Sequence, residues 1–326
     1  MSKDKKYYGI DISSLVFDVI DSDNKFYQFP NNKKGFNQFF KLLNADSICV
    51  MEATGYYHYQ LAYYLLENNI LTSIVNPLSV KRFIQMRLSK VKTDKSDAKM
   101  ICLYAQTIEL KFWKGNTNNQ RESLQLCRSI EFYTKQLTAL KNKINSEKVL
   151  GTPCKLVVSS LKKSLAILQN EKKKLEEKLV ELVRIDNKDL LTRLETIPGL
   201  GRKTAVMLIV LTDGFNRFEK ASELCSYAGL TPIIRQSGSS VRGKPRISKM
   251  GNSTIRKLLF MCSLSSYRHN KACKEIFDRI VAKGKNKKLA LIAVCNKILK
   301  QAFAIAKSGL IYDENYRSVL LEKSLN

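Results

Sequence analysis

Residues 7–12, Tyr-Tyr-Gly-Ile-Asp-Ile, begin a series of three short runs of aromatic and β-branched residues, the others being 15–20 (LVFDVI) and 25–29 (KFYQF). Ser, Asp and Asn separate them, and short side chains that hydrogen-bond their own backbone favour turns, so the pattern predicts a three-stranded meander. Helical and strand periodicities then alternate. Residues 35–43 read as a helix, 47–51 as an apolar strand, 57–68 as a helix, 71–75 as a strand and 94–106 as a helix. The order βββαβαβα predicts an α/β domain built on a mixed sheet covered by helices.

A polar, turn-rich stretch at 115–119 ends this pattern, and long segments without strand signals follow. Residues 121–150 are helical in pattern, and Gly151-Thr152-Pro153 would turn the chain back. From Val158 the positions 158, 161, 165, 168, 172, 175, 179 and 182 alternate spacings of three and four, and all are apolar except Lys172. That is a coiled-coil seam. It suits a helical hairpin closed on itself and a dimerising arm equally well. From Leu190 the chain reads as helices with glycine stops at Gly284 and Gly309, interrupted by an irregular stretch between Ala228 and Gly251. The predicted division is 1–115, an α/β domain; 116–189, a helical coiled-coil hairpin; and 190–326, a mainly α domain.

Lysine and arginine number 56 against 29 acids, a net charge of +27 that attracts polyanions. Nucleic acid is the first partner implied. The eight cysteines are scattered, without a C-x-x-C pair and with only His58 and His269 to assist, which argues against zinc and for free thiols in a reducing cytoplasm. No segment approaches 18 uninterrupted apolar residues, so the expectation is a protein neither secreted nor membrane-bound.

Four acids sit where a sheet and a helix could gather them. Asp11 ends the first strand, Glu52 ends the later strand in Val50-Met51-Glu52-Ala53-Thr54-Gly55, and Lys92-Thr93-Asp94-Lys95-Ser96-Asp97 sets two carboxylates three apart on one helical face. An acid at a strand end is commonly just solvated. Four converging carboxylates, however, form the hard oxygen shell that Mg²⁺ or Mn²⁺ prefers, and a pair of such ions about 4 Å apart serves phosphodiester chemistry. The order Asp, Glu, helical Asp pair resembles the RuvC-like branch of the RNase H fold.

Between Glu223 and Glu275 no acid occurs, while Arg235, Arg242, Lys244, Arg246, Lys249 and Arg256 are among the cations there. Inside this basic stretch lies Gln236-Ser237-Gly238-Ser239-Ser240, readable either as a flexible linker or as a nucleophile loop whose surrounding charge would neutralise an attacked phosphate. Upstream, Ile197-Pro198-Gly199-Leu200-Gly201 followed by Lys203 and Thr204 resembles a helix-hairpin-helix. Gly199, Gly201 and Lys203 could meet a phosphate there, although a ligand-free helix connection needs similar residues.

Taken in order, Gly9-Ile10-Asp11, Met51-Glu52-Ala53-Thr54-Gly55, Lys92-Thr93-Asp94-Lys95-Ser96-Asp97-Ala98, Ile197 to Thr204, Tyr227-Ala228-Gly229-Leu230-Thr231-Pro232, Gln236-Ser237-Gly238 and Ser248-Lys249-Met250-Gly251 resemble the IS110 family of insertion-sequence transposases, which includes relatives of the Piv DNA invertase. The resemblance implies a RuvC-like domain whose Asp11, Glu52, Asp94 and Asp97 form a DEDD metal set, and a serine domain whose Ser237 is the nucleophile, with Ser239 and Ser240 close by. It further implies DNA as substrate, a structured bridge RNA as guide, and assembly as dimers and tetramers. Two rivals stand beside it: a RuvC-like junction endonuclease using the acids and water, and a non-catalytic nucleic-acid-binding protein.

Overall fold

The computed structural model describes residues 5–53, 55–88, 93–233, 236–237, 241–242, 246–248 and 250–316, with backbone alone at 236–237 and 241–242. The chain divides into two compact units, Met1–Asn116 and Thr117–Asn326.

The first unit carries strands β1 (Lys6–Ile12), β2 (Val16–Asp21) and β3 (Phe26–Pro30), then α1 (Lys33–Phe40), β4 (Ser47–Glu52), α2 (His58–Glu67), β5 (Leu71–Val75), α3 (Pro77–Met86) and α4 (Asp94–Thr107). The sheet order is β3-β2-β1-β4-β5, antiparallel through the meander and parallel between β1, β4 and β5. This is the mixed sheet that the strand pattern predicts. One helix more than predicted is present: Asn76 accepts a hydrogen bond from the Leu78 N–H and Pro77 stands at the first helical position, the start signal of α3.

Alternation along β1 decides what each sheet face carries. Tyr8, Ile10 and Ile12 enter an aromatic-rich core with Phe17, Phe36, Phe39, Leu61 and Leu65 beneath α1 and α2. Tyr7, Gly9 and Asp11 face the other way. There Ile20 packs with Ala98 and Cys102 of α4, and Ile48, Val50 and Val75 pack with Val80, Ile101 and Ala105. A Cβ on Gly9 would lie 2.2 Å from the Cys102 amide nitrogen and 2.3 Å from the Ala98 carbonyl oxygen, so α4 rests its backbone directly on β1. Gly9→Val is expected to force the helix off the sheet, costing at least about 1–3 kcal/mol as overpacking does. A thermal melt matching the unsubstituted chain would contradict this packing.

The second unit begins with two long antiparallel helices, α5 (Asn118–Val149) and α6 (Lys155–Glu195), joined through Gly151 at φ +82°. The heptad seam of α6 lies against α5 of the same chain: Leu179 and Leu182 are buried, while Val158, Leu161, Leu165, Leu168 and Leu175 are half-buried opposite Cys127, Ile130, Leu137 and Ile144. Two helices cannot cover both flanks of a seam. Lys172, its polar position, reaches Glu176 at 3.6 Å.

α6 runs through residue 189 with a local break at Asn187 (φ −135°, ψ 31°), and its end shares one core with α7 (Arg202–Thr212), α8 (Ala221–Tyr227), α9 (Ser253–His269), α10 (Lys271–Ala282) and α11 (Lys287–Ser308). Between α8 and α9 the described residues include four two-residue strands, β6 (Pro232–Ile233), β7 (Gln236–Ser237), β8 (Val241–Arg242) and β9 (Arg246–Ile247). Among the described residues only α11 is long and apolar enough to cross a membrane, and its Val294, Ile298, Leu299 and Ala302 are spent on the bundle core. All eight cysteines are free and seven are buried, Cys154 being exposed.

Candidate active site

Asp11 and Glu52 are neighbours on parallel strands. Ile10 pairs with Met51 in the register, and both enter the core under α1 and α2, so the next residue on each strand faces α4. On the other flank Asp11 is the direct antiparallel partner of Asp18 in β2, which is only 5% exposed. Three acids thus cross β2, β1 and β4 in one row.

The start of α4 brings two more. Thr93 accepts from the Ser96 N–H and the Ser96 hydroxyl accepts from the Thr93 N–H, a reciprocal cap that fixes Asp94 and Asp97 in the first turn. Acids are favoured there by the positive end of the helix dipole. Because Gly9 lets Ala98 and Cys102 touch β1 two residues before Asp11, the helix start is carried toward the acid row. Asp94 is exposed, whereas Asp11, Glu52 and Asp97 are half-buried.

Burial raises the Asp11 carboxyl to about 6, and the charges of Asp97, Asp94, Glu52 and Asp18 push it the same way. Every acid of the predicted set is therefore felt at Asp11. The shared donors are all carboxylate oxygens, whose mutual repulsion a hard divalent cation would relieve, so this chemistry fits Mg²⁺. Among the described residues, no three His, Cys, Asp or Glu side chains are drawn close enough to enclose an ion. Asp18 is not among the acids that the sequence motifs mark; its signal is an acid placed among apolar residues in 15–20, opposite Asp11 across a tight turn.

The serine segment leaves the bundle through a narrow neck. The Asn252 amide donates to the Tyr227 carbonyl at 2.7 Å, and the Ser248 amide donates to that of Thr231 at 3.2 Å. Gly229 (φ +68°) and Gly251 (φ +119°) make the closure possible: a Cβ on the first would lie 2.5 Å from the Met250 carbonyl oxygen, and one on the second 2.2 Å from that of Tyr227. Arg256 donates to the Ala228 carbonyl at 2.8 Å, so part of its guanidinium braces this neck. Beyond it β6 pairs with β9, and β7 with β8, Ser237 facing Val241 in the register. Within the stretch predicted as irregular, the described residues hold two minimal antiparallel ladders. Arg246 is exposed on β9; Arg235, Ser239, Ser240, Lys244 and Lys249 lie outside the described residues.

At the α6–α7 connection Gly199 (φ +87°) is turned into the protein, since a Cβ there would lie 2.2 Å from the Ser266 hydroxyl, which donates to the Pro198 carbonyl. Its glycine requirement comes from packing on α9. Gly201 is open, caps α7 without a side-chain partner, and is followed by Lys203, which pairs with Glu176 at 2.6 Å.

Residues 8–150 match the family described as Transposase, of the DEDD IS110 type, and residues 191–278 match the one described as Transposase IS116/IS110/IS902 family; together they span more than half of the chain. The chain belongs to the IS110/IS116/IS902 family of transposases. It aligns over 323 residues with the pilin gene-inverting protein of Moraxella lacunata at 28% identity, covering 95% of this chain and 98% of that protein. With the transposase for insertion sequence element IS1111A of Coxiella burnetii, identity is 26% over 351 residues, covering 97% and 92%. This transposase is accordingly an enzyme of DNA recombination, and its DEDD domain implies dependence on a divalent metal. Asp11, Glu52, Asp94 and Asp97 all fall within the DEDD match, and Ser237 falls within the second.

Proposed function

We propose that this transposase cuts and rejoins the DNA ends of its own element by serine attack at phosphorus, using Asp11, Glu52, Asp94 and Asp97 in a RuvC-like domain to hold Mg²⁺, or Mn²⁺ in its place. The observation that carries the reading is the gathering of these acids around Asp11, with its raised carboxyl, inside a DEDD match. When bound, the cation would supply charge neutralisation for the phosphodiester oxygens. The Ser237 oxygen forms the new bond to phosphorus as the bond to the departing sugar oxygen breaks, the serine losing a proton and the sugar oxygen gaining one. Arg235, Arg242, Lys244, Arg246 and Lys249 offset the charge that accumulates, while Arg256 holds the loop neck and Gly201 and Lys203 face the DNA backbone.

The acids belong to the 1–115 part and Ser237 to the 190–326 part, and in the proposed assembly one copy supplies serine to the acids of another. The net charge of +27 supports binding of polyanions, and the guide in this reading is a structured RNA encoded beside the gene. The seat of action is the cytoplasm. The half-buried flanks of the α5–α6 seam support pairing of hairpins between copies in dimers or tetramers. Replacing Leu168 and Leu175 by Glu is expected to lower the mass in light scattering to that of one chain, and an unchanged mass would mean that the seam serves only the hairpin.

The function itself is tested by incubating full-length protein, any co-purifying RNA and Mg²⁺ with a plasmid carrying the gene and its flanking DNA. The expected product is a joined end-to-end junction, detected by amplification across it. Cuts that are never resealed would favour the junction nuclease.

A further inference from the structure

Two acids lie buried in β2, and they are answered differently. Asp21 is 1% exposed and lies 3.1 Å from the Lys6 ammonium, with the turn amides of Asp23 and Lys25 donating to its other oxygen. Its charge has a structural counterpart. Asp18 accepts 2.9 Å from the neutral side-chain amide of Gln28, and no cation is paired with it among the described residues. Directly across the ladder stands another acid, Asp11. Facing carboxylates on antiparallel strands destabilise a sheet, and a local conflict of this kind is expected where function demands it.

Asp18 and Asp11 both face α4, two residues along the ladder from Ile20 and Gly9, where the helix touches the sheet. Gln28 is the register partner of Asp18 on β3, so the amide and both acids stand in a row across β3, β2 and β1. The Asp18 charge is also one of those raising the carboxyl of Asp11. We propose that Asp18, held by Gln28, is a fifth acidic group of the cation site, a positioning residue that lends negative potential to the ion bound at Asp11. This rests on the reading of Asp11, Glu52, Asp94 and Asp97 as the divalent-cation site.

The test is Mn²⁺ titration of the full-length chain, followed by electron paramagnetic resonance, alongside thermal melts without metal. Asp18→Asn keeps an acceptor for Gln28 but removes the charge. It is expected to weaken Mn²⁺ binding about tenfold or more, as loss of a supporting group around a metal does, while the metal-free Tm stays level or rises because a repulsion is gone. A purely structural Asp18 would give the reverse, a lower Tm with unchanged Mn²⁺ affinity, and would overturn the proposal. Gln28→Met keeps the charge and releases the clamp; it is expected to weaken Mn²⁺ binding less than Asp18→Asn, and unaltered affinity in this variant counts against the clamp even if Asp18→Asn fails to fold. Asp11→Asn separates the two levels. Lost Mn²⁺ binding in Asp11→Asn beside intact binding in Asp18→Asn removes only the fifth acid, whereas intact binding in both removes the four-acid site as well.

Discussion

Asp11→Asn is expected to lower strand exchange about a thousandfold while leaving the protein folded and able to retain DNA. The size follows from what a divalent cation contributes at phosphorus, several kcal/mol of charge stabilisation, where every 1.36 kcal/mol is tenfold in rate. Asp11 is the right residue for this test because it is the centre of the group: Asp97, Asp94, Glu52 and Asp18 all act on its carboxyl. The amide is nearly isosteric, so no cavity is made. Without its charge the metal-free fold loses four repulsions, and its melting temperature should not fall. Measurement pairs a junction-formation assay with a thermal melt and a mobility shift on element-end DNA. Recombination near the unsubstituted rate in a well-folded Asp11→Asn variant would remove the acids from the chemistry.

Ser237→Ala is expected to abolish rejoining to a similar extent, and to remove a covalent protein–DNA species. Resealing without an external energy source requires that the energy of the cut phosphodiester be kept, and a phosphoserine bond keeps it. Water would discard it. Unsubstituted protein trapped on a nicked substrate should therefore yield, after proteolysis, a DNA-linked peptide containing Ser237, identified by mass. Mixing Ser237→Ala with Asp11→Asn chains should recover part of the activity if serine and acids meet from different copies. An active Ser237→Ala variant without any adduct would return the reading to a water-using nuclease.

Much of the acid grouping around Asp11 is legible in the sequence because its supports are local. Strands of alternating aromatic and aliphatic residues announce themselves, and Thr93 with Ser96 signals a helix start that brings Asp94 and Asp97 together. Asp18 escaped because its meaning lies in a ladder partner seven residues away, visible only once the register of β1 and β2 is known. The ladders around Ser237 escaped for another reason: strands of two residues are shorter than any periodicity. The motif points Gly199 toward a phosphate, and nothing in Ile197-Pro198-Gly199-Leu200-Gly201 reveals that Ser266 returns to fill the space above it. The apolar stripe of α6 is legible in its spacing, but a stripe does not name its partner, and here α5 takes one side of it.

The neck formed by Tyr227, Gly229, Gly251 and Asn252 makes the serine segment a cassette. Its two ends are fastened by the bundle, so the entropy of closing the loop is met outside it, and lengthening a closed flexible loop adds only about 0.6 kcal/mol per doubling. Sequence change beyond the neck therefore need not draw on the stability of α8 or α9. Change at the neck has no such freedom, because two glycine backbones there already touch the opposite strand of the closure. The neck thus separates a segment open to sequence change from a ring of atoms that must stay as it is.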